Sequence, residues 1–375
     1  MFMTHTPESL HGPSDIIAAL PGIFGFYPQE STVVVGLYPP EHAGGAVRLG
    51  PVMRADLCHT HHILPALTDT PGGDCVAFYA IVISRIPNSQ LVADTKEALF
   101  NFADGEGIPL IDACWHVSEV AEGTPYTIVF GPSPAQLAAG GMGPEWMQGT
   151  VSSVASSPSM VSLLRNGGLP ELDRADTFRF FEPWGDAVRG HPDYDPDEVG
   201  ARAAELAQAC ELACDADRRT AAGIIEEGCA LLHDVAERPL IQPLECTNRT
   251  RVFGLEGDAT EIAALLSVKR ARDAMIIDAL ASPLRAATAF LWVAKAFRGD
   301  VRANALTLWA TVATARNLNS WAVVALTCAQ EEVPGHHLSL MLLTMLNHGM
   351  QEKLVESAVS GCALSWADLD PAWSS

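Results

Sequence analysis

What the chain has least of is positive charge. Against 45 aspartates and glutamates stand 23 lysines and arginines, a formal net charge of −22 at pH 7. A sequence-independent grip on nucleic acid comes from Lys and Arg neutralising phosphates, so nucleic acid is not an expected partner. An acidic excess of this size serves solubility instead. Long apolar runs are missing too: none approaches the ~20 residues that span a bilayer, so no membrane segment is expected. The opening MFMTHTPESLHG shows no basic stretch followed by an apolar core, and no secretory leader is expected. The nine cysteines are odd in number and irregularly spaced. That pattern fits a reduced cytosol better than a disulfide framework, and the expected location is cytoplasmic.

Catalytic signatures are equally scarce. There is no G-x-x-x-x-G-K-[ST] phosphate loop, no G-x-S-x-G elbow and no H-E-x-x-H pair. Neither Gly140-Gly141-Met142-Gly143 nor Gly72-Gly73 stands in the strand–turn–helix setting of a dinucleotide fingerprint. What is present is 48% hydrophobic residues with 18% charged, the balance of a folded protein. A chain of 375 residues has room for two or three domains.

The organising stretch runs from Ser14 to Leu37. Ser14 and Asp15 are expected to cap a helix through IIAAL, and Pro21-Gly22 to end it. After Gly25-Phe26-Tyr27-Pro28, Glu30 and Ser31 lead into a β-branched strand, Thr32 to Val35. Turn material at 38–45 precedes a second strand at 46–57, kinked at Gly50-Pro51, with Arg54 and Asp56 on one face. A turn at 69–74 precedes a buried strand at 75–84. Residues 89–105 form an amphipathic helix with Leu91, Ala98, Leu99 and Phe102 on its stripe. Strands follow at 110–117 and 126–131. Strand–helix–strand of this length implies a crossover and a mixed, partly parallel sheet.

The expected organisation is an α/β domain over 1–131, an irregular connection over 132–196, and an α-helical region over 197–375. That region breaks near 214–217 and continues as helices at 259–280, 284–298, 302–317, 320–332 and 336–348, with a weaker one after Met350. Asn317, Ala322, Ala329 and Pro334 match the spacing of a tetratricopeptide-like hairpin: turn, two small packing positions, terminating proline. The template fails at Gly299, where Asn304 and Thr311 fill the small positions, so no array is implied.

LPGIFGFYPQESTVVVGL, GPVMRADL, GIPLIDACWHV, RDAMIIDAL and VPGHHLSLMLLTMLNHG together resemble the actinobacterial domain-of-unknown-function family 4192. The resemblance implies bacterial or phage origin and an α/β front with a helical back. It carries no activity, and the CHTHH segment departs from its pattern.

Three groups of residues have chemistry worth placing. Asp56 with His59 and His61 offers carboxylate and imidazole to zinc or another divalent ion. Cys210 and Cys214 with Cys229 and His233 offer a structural zinc set if two helices fold back on each other. Arg54, Asp56 and Asp112, with Glu30 and Ser31, are expected to share one edge of the sheet, where open α/β sheets place ligands. The bland alternatives are solvated histidines, helix-packing cysteines, and a surface ion pair beside a turn cap. No cofactor is identified. The leading reading is a binding or regulatory protein acting through protein–protein contacts or self-association. Its rivals are a metal-dependent hydrolase near Asp56, His59 and His61, and a structural homo-oligomer subunit.

Overall fold

A computed structural model describes residues 12–39, 48–68, 75–211, 215–246 and 252–369. The turns expected at 38–45 and 69–74, and Cys214 at the helix break, fall largely or wholly outside them. The chain forms two units: one runs up to Leu163 and takes in Leu169–Arg174, the other holds Leu164–Gly168 and the chain from Ala175 onward.

The first unit is built on a six-stranded mixed sheet. Its elements are α1 (Pro13–Phe24), β1 (Ser31–Tyr38), β2 (Arg48–Asp56), α2 (Thr60–Thr68), β3 (Ala77–Ile83), α3 (Gln90–Asn101), β4 (Ala113–Val117), β5 (Pro125–Phe130), α4 (Pro134–Ala139), β6 (Gln148–Thr150) and α5 (Pro158–Arg165), the last ending in the other unit. The order across the sheet is β2-β1-β3-β4-β5-β6. Among the described strand pairs, only β3–β4, joined through α3, is parallel. Val34, Ala80, Val82 and Cys114 pack with Leu64, Val92 and Leu99 in one core. Val33, Val35, Ile81 and Trp115 alternate with them and are buried as well. A sheet covered on both faces explains why these strands read as continuous apolar runs.

Several local expectations change. Helix α1 does not stop at Pro21-Gly22 but runs through them to Phe24, closing at Gly25 with φ of 76°. Its start is not capped by Ser14 or Asp15. Ser14 donates to Thr150 O at 2.7 Å, and Asp15 accepts from the Ser152 hydroxyl at 2.9 Å. Tertiary packing overrides the helix-breaking residues, because Gly22 sits against the backbone of Ser159 and Met160. On α3 Leu99 is buried with Ala98 and Phe102 packed beside it, as expected, but Val92 and Thr95 complete the stripe while Leu91 faces water. In place of a connection over 132–196, the chain carries α4, β6, α5 and α6 (Arg174–Phe180), shared between the two units.

The second unit continues with α7 (Pro196–Glu211), α8 (Asp215–Leu231), α9 (Asp258–Ser267), α10 (Lys269–Ala274), α11 (Ile276–Ala281), α12 (Pro283–Ala296), α13 (Gly299–Ala315), α14 (Asn319–Glu332), α15 (His337–Asn347) and α16 (Gln351–Leu369). The single helix expected at 259–280 is three. Val268 is extended at the first break, and Ser267 bonds back to Ala263 O at 2.8 Å. Helix α13 packs between α12 and α14. Asn317, with φ of 60°, makes the α13–α14 turn, and Ala322 and Ala329 are fully buried on α14. Trp309, Trp321, Phe180 and Phe181 form an aromatic knot, Phe181 to Trp309 at 4.8 Å and Phe180 to Trp321 at 5.1 Å between centroids.

Gly22→Ala tests the close approach at α1. Helix propensity alone favours alanine by roughly 1 kcal/mol. A Cβ there meets Met160 N at 2.6 Å, and backbone yields little. A net loss of about 1–3 kcal/mol is expected in urea unfolding.

Candidate functional site

The carboxyl ends of β3 and β4 meet the amino end of β1 and the end of β2. The register sets Ser31 opposite both Ile83 and Asp56. Four elements therefore deliver polar side chains to one edge. At its centre is Glu30, held at φ of 40°, a region that non-glycine residues seldom occupy. Its carboxylate accepts from the Ser84 hydroxyl at 2.7 Å and from Arg85 N at 2.9 Å. Its main-chain oxygen accepts from Leu57 N at 3.1 Å. One residue thus ties the loop before β1 to the ends of β2 and β3.

Beside it, Arg54 Nη2 lies 2.5 Å from Asp56 Oδ1, while Nε donates to the Ser31 hydroxyl at 2.9 Å. The Ser31 hydroxyl in turn donates to Gln29 O at 2.5 Å. The guanidinium lies 5.8 Å from the Phe26 ring centroid. Burial draws the Arg54 pKa below its ordinary value, Asp56 pushes it back up, and Arg174 adds to the depression. Farther along, Arg85 pairs with Glu119 at 2.9 Å. His116 Nε2 lies 3.1 Å from Ser84 O, and burial lowers its pKa.

This edge is occupied by its own partners. Ser84 donates a hydrogen bond to a carboxylate and Ser31 to a carbonyl, so neither hydroxyl is paired with an imidazole base. His116 meets Ser84 at the main chain rather than the hydroxyl. The chemistry on show is cross-strand fastening, not nucleophile activation.

The structure brings Arg54, Asp56, Glu30 and Ser31 together and separates Asp112 from them. Asp112 precedes β4 at the opposite edge, where its carboxylate accepts from Phe78 N at 2.8 Å. The parallel pairing of β3 with β4 requires this, since the start of β4 lies beside the start of β3. His59, His61 and His62 are exposed around the start of α2 and pack on one another, His61 to His62 at 4.1 Å between centroids. Cys210 is buried on α7, and its main-chain oxygen accepts from Arg270 at 3.0 Å. Cys229 is buried on α8, its thiol pKa raised by burial and then by Asp278, with Cys362 adding to the rise. His233 is 3.4 Å from the Ser282 hydroxyl. Among the described residues, no three His, Cys, Asp or Glu side chains are grouped to hold a metal ion. Asn317, Ala322, Ala329 and Pro334 shape the α13–α14 hairpin from within and at its ends.

Sequence reasoning missed the fastening role of Glu30 and Ser84, because a positive φ at glutamate leaves no trace in residue type. It also missed a polar network in the helical unit. Lys295 Nζ donates to Phe180 O at 2.6 Å and Glu182 O at 2.9 Å. Burial, then Arg302, lowers its pKa to about 8. Arg302 donates to Phe181 O at 3.0 Å and to Ala294 O, and its Nε lies 3.0 Å from Glu332 Oε2. A signal existed: Lys295 interrupts AFLWVAKAF, and Arg302 and Asn304 stand early in a helix that carries no other charged or amide residue after Asp300.

Comparing two variants separates strain from fastening at Glu30. Glycine relieves the positive φ and alanine does not, while both remove the carboxylate. Losing charge-assisted bonds worth roughly 1.5–3 kcal/mol outweighs about 1 kcal/mol of relieved strain. Both variants are expected to be less stable in urea unfolding, Glu30→Ala by about 1 kcal/mol more than Glu30→Gly.

Compared with known proteins, residues 13–353 match the model of a family described as a domain of unknown function, DUF4192. No curated protein and no solved structure matches the chain.

Proposed function

We propose, for a chain that belongs to the DUF4192 family, a binding or regulatory role in the bacterial cytoplasm, exercised through protein–protein contacts. The supporting observation is helix α15. Its sequence HLSLMLLTMLN holds seven apolar residues and no Asp, Glu, Lys or Arg. Only Ser339 and Leu342 are buried, while Leu340 is 49% and Met341 42% exposed. In a chain of net charge −22, an uncharged apolar helix left on the surface is a place for a partner rather than for water. Nothing on α15 offers an ion pair, so the occupant that fits it is an uncharged apolar helix face of another protein. The sheet edge supports the same reading from the other side. Its polar groups are spent on one another, and Asp112 stands too far along the strands to complete a hydrolase site with Arg54 and Asp56.

Native mass spectrometry of chain purified gently from an actinobacterial host, without chelator, tests this reading. The expected result is a partner retained by the wild type and lost from Leu340→Glu/Met341→Glu, with the variant's unfolding curve unchanged. Copies of the chain alone, released by the same substitutions, would favour the homo-oligomer reading. A metal ion retained through His59 and His61 would favour the hydrolase. A bare monomer would overturn the proposal.

A further inference from the structure

The start of α15 rests on one titratable ring. His336 stands at the helix N-cap, where its Nδ1 accepts from Ser339 N at 3.3 Å and lies 2.9 Å from the Ser339 hydroxyl. Across the ring, Nε2 lies 3.0 Å from Asn304 Oδ1 on α13. The neighbours fix which nitrogen carries the proton. Asn304 Nδ2 donates to Leu266 O at 2.9 Å, and its Oδ1 accepts from Arg272 Nη1 at 2.7 Å. Turning the amide over would set its NH2 against the guanidinium. Oδ1 therefore faces the ring, and Nε2 holds the hydrogen. Nδ1 is left as a lone pair, which is what an N-cap needs.

We propose that His336 is a proton-operated latch on α15. The neutral ring, protonated at Nε2, caps the helix and ties it to α13, and a second proton at Nδ1 releases the helix start. This rests on the docking reading for its purpose and supplies that reading with its regulation. The surroundings allow the protonated ring no equivalent arrangement. Gln330 Nε2 donates to both Ser339 Oγ and His336 O at 2.7 Å. The Ser339 hydroxyl can turn to His336 O at 3.2 Å, but the Ser339 amide then has no acceptor in the cap. The charged groups facing the ring are unequal. Arg272 from α10 and His337 oppose the added charge, and Asp300 from α13 favours it. Asp273 is engaged by Arg272 at 2.7 Å. Burial is the largest influence, and the ring's pKa is lowered from 6.5. The sign follows. The unfolded chain takes up the proton first, so the cap's contribution is whole above about pH 6.5 and is lost as pH falls through the lowered value.

Two readings on the full-length chain test the latch. In 15N-histidine NMR at pH 7.5, the signal absent from His336→Asn is expected to be the Nε2–H tautomer, titrating below 6.5. An Nδ1–H tautomer, or titration at or above 6.5, would overturn the proposal. In hydrogen exchange corrected for the chemical rate, protection of the α15 amides is expected to fall between pH 7.5 and 5.5, by up to about tenfold per unit. His336→Asn keeps an N-cap acceptor that does not titrate, so its α15 protection is expected to stay flat. A variant profile that tracks the wild type would sink the latch. Should the variant not fold, His336→Gln identifies the signal, and the wild-type tautomer and titration decide alone. None of these readings depends on what Leu340→Glu/Met341→Glu does to assembly, so the two proposals fail separately.

Discussion

The cost of taking a polar group out of water shapes the helical unit of this chain. An ammonium or guanidinium removed from solvent loses several kcal/mol of hydration, returned only if every proton finds an acceptor. Lys295 and Arg302 recover part of that loss from main-chain oxygens of residues 180–182, and Arg302 from Glu332 beside it, although the Arg302 Nε hydrogen has no well-aligned acceptor. The segment carrying Phe180 and Phe181 is thus held against α12 and α13 by donors that have nowhere else to go. The aromatic knot with Trp309 and Trp321 forms where those donors hold it. In the sheet unit Glu30 is exposed, and its carboxylate fastens strands without that cost. Its carboxylate collects a hydroxyl and an amide from the end of β3, and that satisfaction holds glutamate in a backbone region it otherwise avoids.

The same economy makes the surface informative. Polar groups are saturated where the sheet edge resembles a ligand site, and apolar groups are left bare on α15. A catalytic edge usually keeps at least one group short of partners, poised for substrate. Here each serine hydroxyl at the edge already has its acceptor. Both observations support the proposed role in recognition by shape and apolar contact.

Much of the sheet was legible from sequence, because β1 and β3 are buried on both faces and their β-branched runs have no other stable use. The α13–α14 hairpin was legible for a related reason: a left-handed turn residue, two alanines and a proline each answer a local steric demand. Helix α1 was misread because Pro21-Gly22 is a stop signal only where nothing packs against it, and Ser159 and Met160 do. Asp112 was misplaced because residue type cannot tell which end of a strand lies at which edge; that depends on the pairing of β3 with β4. Asn304 is the most instructive case. In sequence it was, with Thr311, one of the two residues that spoiled a second tetratricopeptide match. In the fold it joins Arg272, Leu266 and His336, and the departure from a repeat is what makes the polar network.

Neither unit is a continuous piece of chain. Leu164–Gly168 belong with the helices, Leu169–Arg174 return to the sheet, and Ala175 leaves it again. The returning strap is held by Tyr27 N to Glu171 O and Glu171 N to Gly25 O, each at 2.9 Å. During synthesis from the amino terminus, the sheet unit cannot be complete until Arg174 has emerged. By then the first five residues of the helical unit are already outside the ribosome, so the two units do not mature strictly one after the other. Cutting the gene at any single codon leaves at least one unit missing a piece of itself.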